Sequence, residues 1–221
     1  MKLFHQAEKT FSAINKDALA SNLLILKNLI DAIEINDLNI NPFFATKTAF
    51  SKRNKAPCTF INICERERFT MSVFIINDNF TMPLHDHPKM KGILKVVSGK
   101  LKIQSFTRLS GEGGALFVKQ DEPKHLDHQS ASSLLDENAG NFHEITAMEG
   151  CAAFFDVLSP PYSELDDLSQ ESRHCNFYRK IMVENNDRKV IKLEQIDCPS
   201  HYYCDTLHFE KPDFMIKQDI T

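Results

Sequence analysis

The sequence predicts an all-β fold behind a short helical segment, and three observations lead there. Leu19, Leu23, Leu26, Ile30 and Ile33 are spaced by four, three, four and three, which is one face of an amphipathic helix. From Cys58 onward the texture changes to short runs rich in Phe, Val and Ile. Turn signals recur there about every ten residues, as in a sandwich or barrel. A length of 221 residues is enough for one such core.

Taken in order, residues 1–42 read as helical, with Asn15 or Asp17 as the cap and Asn41-Pro42 as the stop. Residues 47–57 are polar and basic and read as a connecting loop. The barrel is expected over 58–195. Its strands are read at Phe69–Ile76, at Thr81–Leu84, and at Ile93–Val97 and Leu101–Phe106 on either side of a tight hairpin turn, Ser98-Gly99-Lys100. A second turn falls at 111–114, and a strand begins at Leu116 and Val118. Residues 119–140 are polar, carry His125 and His128, and read as a long surface excursion. Asn141–Ala147, Ala152–Leu158, Asn176–Val183 and 189–193 complete the set, and 196–221 form a tail without clear period. One domain over 1–221 is expected.

Composition excludes several classes. Apolar residues are 42% of the chain, and 17 Phe stand in for the absent Trp. The formal charge is −4 and the pI about 6.1, so no nucleic-acid footprint is expected. The small cluster Lys47, Lys52, Arg53, Lys55 reads as a solvated loop. The most apolar stretch, Ala18 to Ile35, is broken by polar and charged residues, and the N-terminus lacks a basic region followed by an apolar run. A cytoplasmic protein, with the nucleus as a second compartment, is therefore expected. Its six Cys are then free thiols rather than a disulfide framework. No Gly-x-Ser-x-Gly elbow and no phosphate-binding glycine loop occur.

The chemistry lies in Met82-Pro83-Leu84-His85-Asp86-His87-Pro88. In a strand, residues i and i+2 face the same side, so His85 and His87 send two imidazoles inward while Asp86 points away. Such a pair alone is a weak signal. Gly92 and Gly99 bracket the strand that follows, and His143 lies about fifty-five residues on in a second extended segment, Asn141-Phe142-His143-Glu144-Ile145. Two separated strand motifs converging on one metal is the layout of a cupin barrel. The usual glutamate after His-x-His is missing, since the chain reads Lys89-Met90-Lys91-Gly92. The predicted donors are three neutral imidazoles, which leave open positions for a substrate bringing its own thiolate and amine, and for O2. The same three His suit zinc with a water, a hydrolytic or hydrating site. The residues alone leave both readings open.

These segments resemble the cysteamine dioxygenase and plant cysteine oxidase family. The resemblance is carried by Phe69–Ile76, by Met82-Pro-Leu-His-Asp-His-Pro-Lys-Met-Lys-Gly-Ile-Leu-Lys-Val-Val-Ser-Gly99 and by Asn141-Phe-His-Glu-Ile-Thr-Ala-Met-Glu-Gly150. It continues through Ala152-Ala-Phe-Phe-Asp-Val-Leu-Ser-Pro-Pro-Tyr162 and Cys175-Asn-Phe-Tyr-Arg179, and so spans most of 58–179. The resemblance implies a mononuclear Fe(II) on His85, His87 and His143. It also implies addition of both atoms of O2 to the sulfur of cysteamine or of an N-terminal Cys, giving the sulfinic acid. Oxidation of a protein N-terminus would make the enzyme an oxygen sensor that marks proteins for degradation.

Asp156 and Tyr162 fall on family positions beside the site. Asp156 would orient the substrate amine or a ligand, and the Tyr162 phenol would donate to substrate or bound oxygen. Some animal members join a Cys to a Tyr two residues later as a thioether; here Cys175 is followed by Phe177, so no such crosslink is expected. The loops 159–172 and 119–140 should decide between cysteamine and peptide substrates. Asp86, Glu144 and Asp166 are candidates for attracting an ammonium group at the mouth. Cys198, His201, Cys204 and His208 are close in sequence, but their order matches no familiar zinc pattern, and a tail packed on the barrel is expected. Two rivals remain: a zinc three-His hydrolase, separated by metal analysis with O2 uptake, and a non-enzymatic ligand-binding cupin, which would be stabilised by ligand without turnover. A monomer is expected.

Overall fold

The computed structural model describes residues 2–46, 56–109, 115–137, 139–163, 173–182 and 190–208. The basic cluster at 47–55, the turn at 111–114, most of the 159–172 loop including Asp166, and the tail beyond 208 lie outside the described residues.

Two helices open the chain, α1 (Lys2–Phe11) and α2 (Lys16–Asp31). Asn15, not Asp17, caps α2: its side chain accepts from the Ala18 N–H at 2.8 Å. Leu26 and Ile30 of the predicted stripe are buried, with Leu23 and Ile33 packed beside them. The helical region is two helices and two short 3-10 turns, Ile35–Leu38 and Pro42–Ala45.

Eleven strands follow among the described residues: β1 (Cys58–Glu65), β2 (Thr70–Ile76), β3 (Thr81–His85), β4 (Lys91–Arg108), β5 (Leu116–Gln120), β6 (Lys124–Asp127), β7 (Ser133–Leu135), β8 (Phe142–Ser159), β9 (Phe177–Met182), β10 (Val190–Ile196) and β11 (Cys204–Thr206). Pairings run β8–β3–β9–β10–β5–β4 and return from β4 to β8, so the sheet closes into a barrel. Apart from the parallel β1–β11 pair, all pairings are antiparallel. This is the expected all-β cupin barrel with helices at its N-terminus.

Three local expectations are corrected. Gly99 is not a hairpin turn; it sits inside one continuous strand, β4, at a bulge between Ser98 and Lys100. Its φ is +72°, and a Cβ there would lie 2.4 Å from the Cys151 carbonyl oxygen, so β4 and β8 cross too closely for a side chain. Residues 119–140 are not merely a surface excursion, because β6 pairs with Lys100–Ile103 and β7 with Gly92–Leu94. His125 and His128 are nevertheless exposed. The tail holds β11, whose three residues pair with Cys58–Phe60.

Strand β8 shows how the barrel positions a site. It pairs with β2 on one side and β4 on the other, and its two faces are both covered. Ala153, Phe155 and Val157 face the core shared with the helices. Phe154, Asp156 and Leu158, in the alternate register, line a cavity inside the barrel. Hence the run Phe154-Phe155-Asp156-Val157 is buried throughout, with the carboxylate on the inward side.

Candidate metal centre

Two strand segments bring three imidazoles together. His85 ends β3 and is directly opposite His143 of β8; His87 lies just beyond the strand end. The possible ligand atoms of the three lie within 4.8 Å of one another, and all three residues are buried. The Nε2 atoms of His87 and His143 are 3.4 Å apart.

Each ring is held from behind through Nδ1. That of His85 lies 2.8 Å from the Pro83 carbonyl oxygen, and that of His143 lies 2.8 Å from the Gly140 carbonyl oxygen. That of His87 lies 2.6 Å from the Tyr162 hydroxyl, which itself donates to the Asp86 carbonyl oxygen at 3.0 Å. One assignment satisfies all of these: every Nδ1 carries the proton and donates, and every Nε2 offers a lone pair inward. Burial holds all three imidazoles below the usual histidine value, His143 at about 3, so they are neutral.

This donor set fits a divalent metal. Two unprotonated Nε2 atoms facing each other at 3.4 Å repel unless a cation sits beside them. Metal–nitrogen bonds of about 2.1 Å place neighbouring ligand nitrogens roughly 3.0–3.4 Å apart. Among the described residues no other group of His, Cys, Asp and Glu has comparable geometry. Cys198, His201, Cys204 and His208 form no such group among the described residues.

The backbone around His87 is pinned by the side chain of Asn141, to which the sequence pattern assigned no role. Asn141 accepts from the His87 N–H at 3.0 Å and donates to its carbonyl at 2.8 Å. Asp86 points away from the imidazoles, as expected, but is buried rather than at the mouth. Its carboxylate accepts from the Asn176 backbone and side chain (3.0 and 3.1 Å) and from the Tyr178 hydroxyl (2.8 Å). Burial pushes Asp86 up, against the hydrogen bonds from Tyr178 and Asn176. It is committed to tying β9 to the His85–His87 segment and is not free to attract an ammonium. Glu144 is likewise engaged, with Lys180 at 2.8 Å. The one hint in the sequence was that Asp86 and Tyr178 alternate with inward-facing neighbours.

The cavity over the imidazoles has a volume of about 80 Å³, where roughly 10–15 Å³ suffices for one water. Its walls are Phe74, Met82, Leu94, Leu135, Ile145, Phe154, Leu158, Phe177 and Tyr202, with Asp156, Tyr162 and Cys175 among the imidazoles. Asp156 is the single carboxylate in this lining among the described residues. Burial pushes it up to about 7, opposed by the Val157 N–H. Cys175 is in contact with the Tyr162 hydroxyl, and burial pushes its thiol up to about 12. Phe177 lies opposite His85 and faces the cavity, while Tyr178 turns to Asp86. His174 is exposed and is not part of the cavity lining.

Fold and site together define a β-barrel that gathers three buried histidines in a geometry able to hold a metal ion. Comparison with known proteins narrows this: the PCO_ADO family model matches residues 29–214, and the chain belongs to that family. It is 34% identical over 181 residues to human 2-aminoethanethiol dioxygenase, covering 72% of this chain and 65% of that protein. It is 25% identical over 207 residues to plant cysteine oxidase 1 of Arabidopsis thaliana, covering 88% and 69%. The matched region thus spans about two thirds of the length of these relatives. Among solved structures it is similar to KdgF from Halomonas sp., at 15% identity and a TM-score of 0.37 over 48% of this chain and 80% of that one. A cupin superfamily protein from Desulfitobacterium hafniense, at 12% identity and a TM-score of 0.34, matches over 45% and 74%.

Proposed function

We propose that this chain is a thiol dioxygenase using Fe(II) on His85, His87 and His143. Its substrate is an aminothiol, cysteamine or the N-terminal Cys of a peptide or protein, and its product the sulfinic acid. The observation that carries the reading is a small cavity whose lining, among the described residues, holds three neutral imidazoles and one carboxylate beside two phenols and a thiol. The names of the relatives, 2-aminoethanethiol dioxygenase and plant cysteine oxidase, point the same way.

The reaction is R–SH + O2 → R–SO2H, with both oxygen atoms on sulfur. Bound Fe(II) supplies a positive charge that favours the thiolate and an electron source for O2, which zinc does not. The protein supplies the rest. Asp156 faces the cavity and acts as counter-ion to the substrate ammonium; the proton that burial favours on its carboxyl passes to solvent water as the ammonium arrives. Tyr162 holds the His87 ring by its Nδ1. Phe74, Leu94, Leu135 and Phe154 keep water from the sulfur. On this reading oxidation of a protein N-terminus marks it for degradation in an oxygen-dependent way. On the same reading the enzyme acts as a monomer in the cytoplasm, with the nucleus as a second compartment.

The test is O2 uptake by anaerobically Fe(II)-loaded protein, offered cysteamine and a Cys-initiated peptide separately, with mass spectrometry of the products. Gain of two oxygens on either thiol is the expected result. Stoichiometric iron without turnover of either would overturn the reading, and activity with zinc in place of iron would revive the hydrolase.

A further inference from the structure

A pair of cysteines lies beside Tyr202, where β11 joins β1. β11 runs parallel to β1 with Cys204 in register with Cys58. In-register residues of neighbouring strands project to the same face. Adjacent strands lie about 4.7–4.9 Å apart, inside the Cα separation of roughly 4.4–6.8 Å that a disulfide spans. Cys58 has no exposed surface, and Cys204 packs against its cluster while remaining partly exposed. The Leu207 N–H donates to the Phe60 carbonyl at 3.0 Å and holds this register just past β11.

The two thiols are chemically unequal. A hydrogen bond from Cys58 holds the Cys204 thiol down to about 7, and the same bond, with burial, raises Cys58 well above the usual thiol value. The Tyr202 hydroxyl lies 3.8 Å from Cys204 Sγ. Cys204 is thus an accessible, acidic sulfur with a buried second thiol beside it, the arrangement in which an attacking thiolate and a resolving thiol act in sequence.

The geometry points to Cys58 and Cys204 as a redox pair that hydroperoxides convert to a disulfide, clasping β11 to β1. The Cys204 thiolate attacks one peroxide oxygen; an S–O bond forms, the O–O bond breaks, and hydroxide leaves and is protonated to water. Cys58 sulfur then attacks Cys204 sulfur, its proton passes to the departing hydroxyl, and the S–S bond forms with release of water. Both electrons taken up by the peroxide come from the two sulfurs. Tyr202, two residues before Cys204, packs on Phe177 (5.7 Å between ring centroids) in the wall of the imidazole cavity. The clasp therefore fixes one side of that wall.

The test uses the full chain, reduced and then exposed to hydrogen peroxide, with free thiols counted after denaturation. The expected result is a fall from six thiols to four, reversed by dithiothreitol. Tandem mass spectrometry should place the link between the peptide carrying Cys58 and Cys204 in the peptide that also carries Cys198. In Cys58→Ala the link should vanish and Cys204 should be trapped by dimedone as sulfenic acid. In Cys204→Ala, Cys58 should stay unmodified. A Cys198–Cys204 link, or sulfinic acid at Cys204 with Cys58 free in the unsubstituted chain, overturns the inference.

Discussion

Replacing Asp156 with Asn should stabilise the metal-free protein at alkaline pH while removing turnover. The carboxyl sits in the cavity wall between imidazoles and apolar side chains, and burial raises it from 3.8 to about 7. A carboxyl with a raised folded-state value favours folding in its protonated form. Its cost to stability is therefore absent below about pH 4, grows as pH rises to about 7, and is level above that. A shift of this size corresponds to roughly 4 kcal/mol at pH 8 and roughly 1.7 kcal/mol at pH 5. Asn has the same shape and no titration, but its amide needs partners, and an unmet one costs about 1–3 kcal/mol at any pH. The absolute gain is thus smaller than the electrostatic figure, whereas its pH dependence is not. Urea unfolding of both metal-free proteins at pH 5 and pH 8 should show the variant gaining on the parent by about 2.5 kcal/mol between the two. At an m-value of about 2–3 kcal/mol/M the midpoints move by roughly 1 M relative to each other. All other titrating groups cancel in this difference. A pH-independent gap would refute a carboxyl that is neutral because it is buried. Turnover retained in the variant would refute Asp156 as counter-ion to the substrate amine.

Other outcomes follow from the same geometry. His143→Ala should lower metal affinity by more than about 100-fold, since two imidazoles remain; stoichiometric iron by elemental analysis would remove His143 from the ligand set. Tyr162→Phe should lower affinity about 10–100-fold by freeing the His87 ring, measured by competition with a chelator, with the fold intact by circular dichroism. Because burial keeps the imidazoles unprotonated, with His143 at about 3, affinity should drop less than about 10-fold from pH 7.5 to 5.5; three ordinary imidazoles would lose about a thousandfold. Equilibrium dialysis at the two values decides this. The sign carries over to stability: these folded values lie below 6.5, so the imidazole contribution is present above pH 6.5 and lost as pH falls towards 3. Gly99→Ala should destabilise by roughly 2–4 kcal/mol, from positive φ and the clash with the Cys151 carbonyl; an unchanged Tm would show that the bulge relaxes.

The sequence made the barrel and its three imidazoles legible because both rest on side-chain identity at fixed spacing. An i, i+2 pair in an extended run and a third His in another such run needed no knowledge of pairing. Gly99 was misread because a positive-φ glycine serves a hairpin turn and a bulge equally well, and only the opposing strand distinguishes them. β6 and β7 were hidden because each is short, four and three residues, and pairs with β4 on one side, so neither carries a readable period. β11 was hidden for a related reason: three residues carry no period. Asp86 shows the limit most sharply. Its neighbours marked it as outward-facing, which is correct, but its partners Asn176 and Tyr178 are ninety and ninety-two residues away.

That separation bears on how the centre is tuned. Two of the three rings are oriented locally, His85 by a carbonyl two residues back and His143 by one three residues back. Any fold that forms β3 and the turn before β8 will orient them. His87 is different: its Nδ1 partner, Tyr162, is seventy-five residues on, and its peptide is held by Asn141, fifty-four residues on. Tyr162 also donates to Asp86, whose carboxylate is gripped by β9. Metal affinity should therefore respond to changes in the β8–β9 connection and in β9 almost wholly through His87. Asp86→Asn, which keeps the shape but replaces one of the two accepting oxygens by a donating amide group facing Asn176 or Tyr178, should loosen His87 and leave His85 and His143 in place. The imidazole signals of the metal-free protein in a two-dimensional nuclear magnetic resonance spectrum would then shift for one ring and not for the other two. Equal movement of all three would mean that the rings are positioned as a unit by the barrel, not individually by the groups behind them.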